Sequence, residues 1–204
     1  EPSRGLRDAL EHASRIDSLF VERTMTRCSD TLFVLSAEEA LAEPMQPDQA
    51  AMDSLIRELR NKFHYVVVDV PRQVSATTQK VLHDATDLFV VTDLSLGGMR
   101  DTLRQATALP AANAGCQISV VGNRIGEHRQ GEISRAEFET AIARKLDFAI
   151  PFDPKDVAAA MNAGRAVAAG NSKVTPVLRA IAERICGTTT NPRQKRFRLW
   201  PARR

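Results

Sequence analysis

Cysteine is scarce in this 204-residue chain: Cys28, Cys116 and Cys186 are odd in number and far apart. That argues against a disulfide framework, leaves no paired thiol spacing for a metal, and fits a reducing cytoplasm. Each reads as a small, buried or half-buried apolar residue. Histidine is equally thin. His12, His64, His83 and His128 are dispersed, none with a second histidine or cysteine at ligand spacing, so a metal site is not expected from them. Long apolar runs are missing as well. Stretches such as Tyr65–Val68 and Leu88–Val91 fall far short of the ~20 residues that cross a bilayer. The chain opens Glu-Pro-Ser-Arg without a methionine or a basic-then-apolar leader, so no secretory signal is visible and the true N-terminus is expected elsewhere. Serines such as Ser36 and Ser95 lack the setting of a nucleophile elbow, which removes a hydrolytic triad from consideration.

What is present is an ordinary soluble composition, 43% hydrophobic and 26% charged, enough to bury one sizeable core. The ten prolines and ten glycines form no linker, and no internal repeat divides the chain, so a single folding unit is expected. The formal charge of +3 is uneven. From Gly187 to Arg204 there are six basic residues, Arg193, Lys195, Arg196, Arg198, Arg203 and Arg204, and no acid; the remainder holds 22 basic residues against 25 acidic. The body is therefore slightly acidic, and the expected division is 1–187 as a domain and 188–204 as a basic tail.

Apolar runs of strand length occur at Leu32–Leu35, Tyr65–Val70, Leu88–Thr92, Ile118–Val121 and, more weakly, Phe148–Ile150. They are nearly continuous rather than alternating, as in strands covered on both faces of a parallel sheet. Helical periodicity lies at Gln49–Lys62, Ser75–Ala85, Met99–Leu109, Arg135–Leu146 and Val174–Ile185. Pro47 with Asp48, and Ser134 with Glu137, are plausible helix starts. Alternation of the two predicts an α/β fold, a mostly parallel open sheet with helices on both faces and right-handed crossovers. Ligands in such sheets gather at the carboxyl ends of the strands. The segments there are Asp69–Arg72, Asp93–Gly98, Asn123–Gly126 and Pro151–Pro154. The Gly97-Gly98 pair reads first as a turn into the next helix.

Tyr65-Val66-Val67-Val68-Asp69 is an apolar strand pattern ending in a carboxylate, as used near phosphate-bound magnesium; taken alone, it equally fits an aspartate that starts a loop. The order of segments goes further. Tyr65–Pro71, then Ser119-Val120-Val121-Gly122-Asn123-Arg124, then Ile150-Pro151-Phe152-Asp153, then Ala160–Val167 with its Asn162-x-Gly164, resembles the MinD/ParA superfamily of P-loop ATPases. Arg4–Leu10 followed by Arg15-Ile16-Asp17, together with the later Asn162-x-Gly164, is similar to the CpaE and TadZ pilus-assembly branch. The resemblance covers about Ser3 to Gly187. It implies that Asp69 orients magnesium through water, that Asn123, with Arg124 beside it, hydrogen-bonds the adenine edge, and that Pro151 and Phe152 border the base. It further implies ATP and magnesium as cofactors of the complete protein, a homodimer there, pilus-assembly machinery as partner, and a cytoplasmic, polar and peripheral location.

One departure limits this. A phosphate site needs a glycine-rich loop with a lysine feeding a helix N-terminus, and no Gly-Lys pair occurs in the sequence. The chain is therefore expected to be the C-terminal portion of such a domain, without the P-loop strand, with no cofactor and no hydrolysis of its own. The strand at Tyr65–Val70 would then show an unpaired apolar edge. Arg193–Arg204 interleaves basics with Phe197, Leu199 and Trp200, a composition suited to an anionic membrane surface or to nucleic acid, or to a merely solvated end. Two other readings remain: a ParA-like DNA-partitioning ATPase, disfavoured by the slightly acidic body, and a nucleotide-independent scaffold.

Overall fold

A computed structural model describes residues 7, 10, 16–36, 48–72, 75–108, 116–128 and 131–187. The chain divides into two compact units, Glu1–His83 and Asp84–Arg204. The 188–204 tail and the Arg4–Leu10 pattern, apart from Arg7 and Leu10, lie outside the described residues.

In the first unit, α1 (Ser18–Thr24) is capped by Asp17, whose carboxylate accepts from the Phe20 amide at 2.7 Å. A short antiparallel pair follows, β1 (Thr26–Arg27) with β2 (Phe33–Val34). The helix expected at Gln49–Lys62 is there as α2 (Gln49–Lys62), capped as expected by Asp48, which accepts from Ala51 N at 3.1 Å. Its spacing sends Leu55 and Leu59 into one core with Leu10 and Val21, and half-buried Phe63 and Val66 close over it.

Tyr65–Val70 is not a strand among the described residues. A β-strand is defined by its partner, and the first unit offers no described neighbour for this segment to pair with. Val66 turns inward, while Tyr65, Val67 and Val68 are exposed, Val67 at 89%. α3 (Ala76–Asp84) leads up to the second unit.

The second unit contains the parallel sheet that the sequence predicts. Its strands are β3 (Asp87–Thr92), β4 (Gln117–Ile125) and β5 (Phe148–Pro151), in the order β3-β4-β5. Helix α4 (Leu96–Ala108) lies against β3, and after β4 comes α5 (Arg135–Ala141). Beyond β5 are α6 (Pro154–Asn162), a 3-10 turn at Val167–Ala169 and α7 (Thr175–Ile185), which lies against β5. The core is Phe138, Ile142 and Leu146 packed on Val120 and Leu94. Truncating fully buried Phe138 to alanine is of the kind that removes about 3–5 kcal/mol.

Two helix boundaries shift by three or more residues from the periodicity, and one helix was not in it. α4 begins three residues before Met99: Ser95 Oγ accepts from Gly98 N at 2.9 Å, and Asp93 accepts from the Ser95 hydroxyl at 2.6 Å. The glycine pair is thus inside a capped helix rather than a turn before one. α5 stops at Ala141 although its apolar pattern continues to Leu146, because Ala143 is left-handed, at φ 53°, and Glu139 and Arg135 take the Leu146 amide and carbonyl at 3.0 and 2.9 Å. Ser134 and Glu137 form the expected reciprocal cap of α5, with Ser134 holding the Glu137 carboxyl below its ordinary pKa. α6 was not in the periodic pattern; Asp153 followed by Pro154 is the N-cap and first-turn signal that marks it. Cys28 and Cys186 are exposed rather than buried; Cys116 is half-buried, and burial, then Asp87, raises its thiol pKa.

Candidate nucleotide-base site

The candidate residues of the second unit converge where β4 and β5 end. β4 and β5 run in register through Val121↔Phe148 and Gly122↔Ala149, then resume at Ile125↔Pro151. Asn123 and Arg124 of β4 therefore stand opposite Ile150 alone. Such a bulge adds a residue to one strand and re-aims its side chains. Arg124 absorbs the bend with φ 58°, a left-handed conformation uncommon for a residue with a Cβ, and Gly126 follows at φ 89°. Upstream, Gly122 is hemmed in by Ile125 and Leu146 side chains; a Cβ there would come within 3.0 and 3.1 Å of them.

The bulge brings Arg124 to Phe152. The guanidinium carbon lies 5.7 Å from the Phe152 ring centroid, within cation-π range, and the same guanidinium pairs with Glu127. Phe152 N donates to Ile125 O at 2.9 Å, tying the two strand exits by backbone. Half-buried Asn123 accepts from the Arg124 amide through Oδ1 at 3.0 Å. Pro151 ends β5 and is half-buried.

Two carboxylates that the sequence did not single out hold these exits. Glu132 accepts from Gly126 N with both oxygens, at 2.8 and 3.0 Å, and from His128 N at 3.4 Å. Asp153, 9% exposed, accepts from Lys173 N at 3.0 Å, Ser172 Oγ at 2.9 Å and Asp156 N at 3.5 Å. The Lys173 amide foremost, then the Ser172 hydroxyl, lower its pKa. No spacing rule links residues 153 and 172; only the Asp-Pro cap signal pointed at Asp153 at all.

Asp69 belongs to the first unit, exposed in the segment that follows Val68. Among the described residues no cluster of three His, Cys, Asp or Glu side chains could hold a metal ion, and no helix is long and apolar enough to cross a membrane. These strand exits bring together a carboxamide, a guanidinium over an aromatic ring and a proline. The sequence contains no Gly-Lys pair of the kind a phosphate loop uses.

No protein-family model matches the sequence. Among curated proteins, the septum site-determining protein MinD of Synechocystis sp. is 26% identical over 118 residues, 58% of this chain and 42% of that protein. MinD of Thermotoga maritima is 27% identical over 164 residues, 76% of this chain and 59% of that protein. The chain thus spans about half the length of these relatives. Among solved structures, a ParA family ATPase from Chlorobium tepidum superposes with a TM-score of 0.77 at 20% identity, over 89% of this chain and 75% of that one. MinD of Pyrococcus horikoshii complexed with Mg-ADP gives 0.70 at 18% identity, over 88% and 72%. The chain is similar in sequence to MinD, and its α/β fold, with a parallel sheet of three strands and flanking helices, is that of the MinD/ParA-like P-loop NTPases.

Proposed function

We propose that this chain is the base-binding portion of a MinD/ParA-type ATPase that serves pilus assembly and polar localisation, in the manner of CpaE and TadZ. The observation that carries the nucleotide reading is the bulge at Asn123-Arg124 facing Phe152 across two strand exits. The pilus assignment is supported by the sequence pattern alone, Arg4–Leu10 with Arg15-Ile16-Asp17 and the later Asn162-x-Gly164. Asn123 supplies a carboxamide with donor and acceptor for an adenine edge, with Arg124 beside it, while Pro151 and Phe152 flank the ring. Bound ATP with magnesium would supply the phosphoryl chemistry in the complete protein, and Asp69 is the residue that would help hold the ion there. A homodimer, pilus-machinery partners and a cytoplasmic, polar, membrane-peripheral location belong to the same proposal. The domain boundary at 187/188 does too.

Calorimetric titration of the 204-residue chain tests this. Adenosine monophosphate and magnesium ATP should bind with similar affinity, because the phosphates meet no lysine loop, and no phosphate should be released. Asn123→Ala should weaken both by about three- to tenfold, the worth of one or two hydrogen bonds. Equal binding by the variant would remove Asn123 from the site. A chain that takes up no adenine compound would favour the scaffold reading of the same sheet.

A further inference from the structure

The turn that presents Asn123 is costly for the chain to hold. Arg124 is left-handed despite its Cβ, and Gly126 is left-handed two residues on. The amides that follow this turn are met by a side chain. Both Glu132 oxygens accept from Gly126 N, and one also accepts from His128 N. Among the described residues this carboxylate pairs with no cation, so its charge is directed at backbone amides.

Glu132 is itself held fast. The next residue, Ile133, packs on the core, and its amide donates to Leu94 O at 2.7 Å. Ser134 then begins α5 through its reciprocal cap. On the other side of the turn, Phe152 N holds Ile125 O; within the arm, Glu127 N donates to Arg124 O at 3.2 Å and His128 O accepts from Gly131 N and Glu132 N at 2.9 and 3.0 Å, so the Glu132 carboxylate is the side-chain tie that adds the Gly126 and His128 amides to these backbone bonds. Arg124 also needs that arm, because its guanidinium partner Glu127 lies within it.

We infer that Glu132 is a positioning residue of the base site: its carboxylate accepts from the Gly126 and His128 amides, and thereby fixes left-handed Arg124 over Phe152 and Asn123 beside it. It does not touch the ligand. The functional half of this inference rests on the reading of Asn123 as the base contact; the structural half does not.

Nitrogen-15 NMR of the 204-residue chain separates the two. The Phe152 ring displaces the Arg124 Nε–H resonance, and Phe152→Ala gives its undisplaced position. Glu132→Ala should move that resonance at least halfway to the undisplaced position and weaken adenosine monophosphate, read at the Asn123 carboxamide, by about threefold or more. Glu132→Gln, which keeps one acceptor oxygen for Gly126 N but sets an amide NH2 in place of the second, should fall between wild type and Glu132→Ala in both. The amides of Val120, Val121 and Phe138 report in the same spectra that the core is intact; if the alanine variant loses them, the glutamine variant decides alone. An Arg124 resonance unmoved in Glu132→Ala, or moved as far in Glu132→Gln, overturns the inference. If adenosine monophosphate leaves the wild-type Asn123 carboxamide unshifted, the base-contact reading falls, and the Arg124 resonance still decides the role of Glu132.

Discussion

Glu139 is an acid enclosed by the groups that want it ionised. It is 8% exposed, and Lys145, then Arg135, then the Leu146 amide donate to it, lowering its pKa from 4.5 to about 2. A carboxyl group with a depressed folded pKa contributes stability that is complete above its unfolded pKa. That contribution is lost as pH falls from about 4.5 through about 2. Urea midpoints measured across that window should therefore fall with acid, and Glu139→Gln should flatten the fall while lowering the midpoint at pH 7. Gly98 is constrained by space. A Cβ there would sit 2.3 Å from Asp93 Oδ1 and 2.5 Å from Asp93 O. The carbonyl cannot swing aside, so Gly98→Ala should lose about 1–3 kcal/mol to overpacking in spite of the ~1 kcal/mol that alanine gains in a helix. A denaturation midpoint above wild type would contradict this. That Asn123, Arg124, Pro151 and Phe152 lie at strand ends was legible from the apolar runs; the roles proposed for them came from the family resemblance. Glu132, Asp153 and Glu139 were not: an acid in a turn looks solvated until the fold shows which amides face it.

At the scale of elements, the strands of the parallel sheet were legible from their apolar runs, whereas exposed β1, Thr26–Arg27, which pairs with β2, was not. β3, β4 and β5 match the apolar runs to within a few residues. Tyr65–Val70 has the most strand-like composition of all and is no strand, since composition names the candidate and pairing makes it. The result is a segment in which half-buried Val66 packs against the first core while Val67 faces solvent. Val67→Lys should change the unfolding free energy by no more than about 0.5 kcal/mol, because an exposed position contributes little. It should reduce self-association, since a charge blunts an unpaired apolar edge. Light scattering against protein concentration measures this, and unchanged scattering would clear the segment of responsibility.

At the scale of the whole molecule, charge and fold are separate properties. The described body carries the chemistry of the strand ends, and the basic excess lies in Arg193–Arg204. If that segment binds an anionic surface, the attraction is screened within about 8 Å at physiological salt. Trp200 fluorescence should shift to the blue on phosphatidylserine vesicles and return on adding salt, and deletion of 192–204 should abolish binding; tight binding to DNA with an unshifted spectrum would point to partitioning instead. The two-unit division was not legible from composition, because no linker marks residue 83. One side chain has a consequence for how the second unit comes apart. Asp153 closes a loop of some twenty residues on Ser172 and Lys173, and Arg165 is exposed within it, just after left-handed Gly164. Trypsin cutting after Arg165 severs the covalent chain between α6 and α7 but not this polar clasp. The nicked protein should migrate as one species in native gels and as two fragments only in detergent.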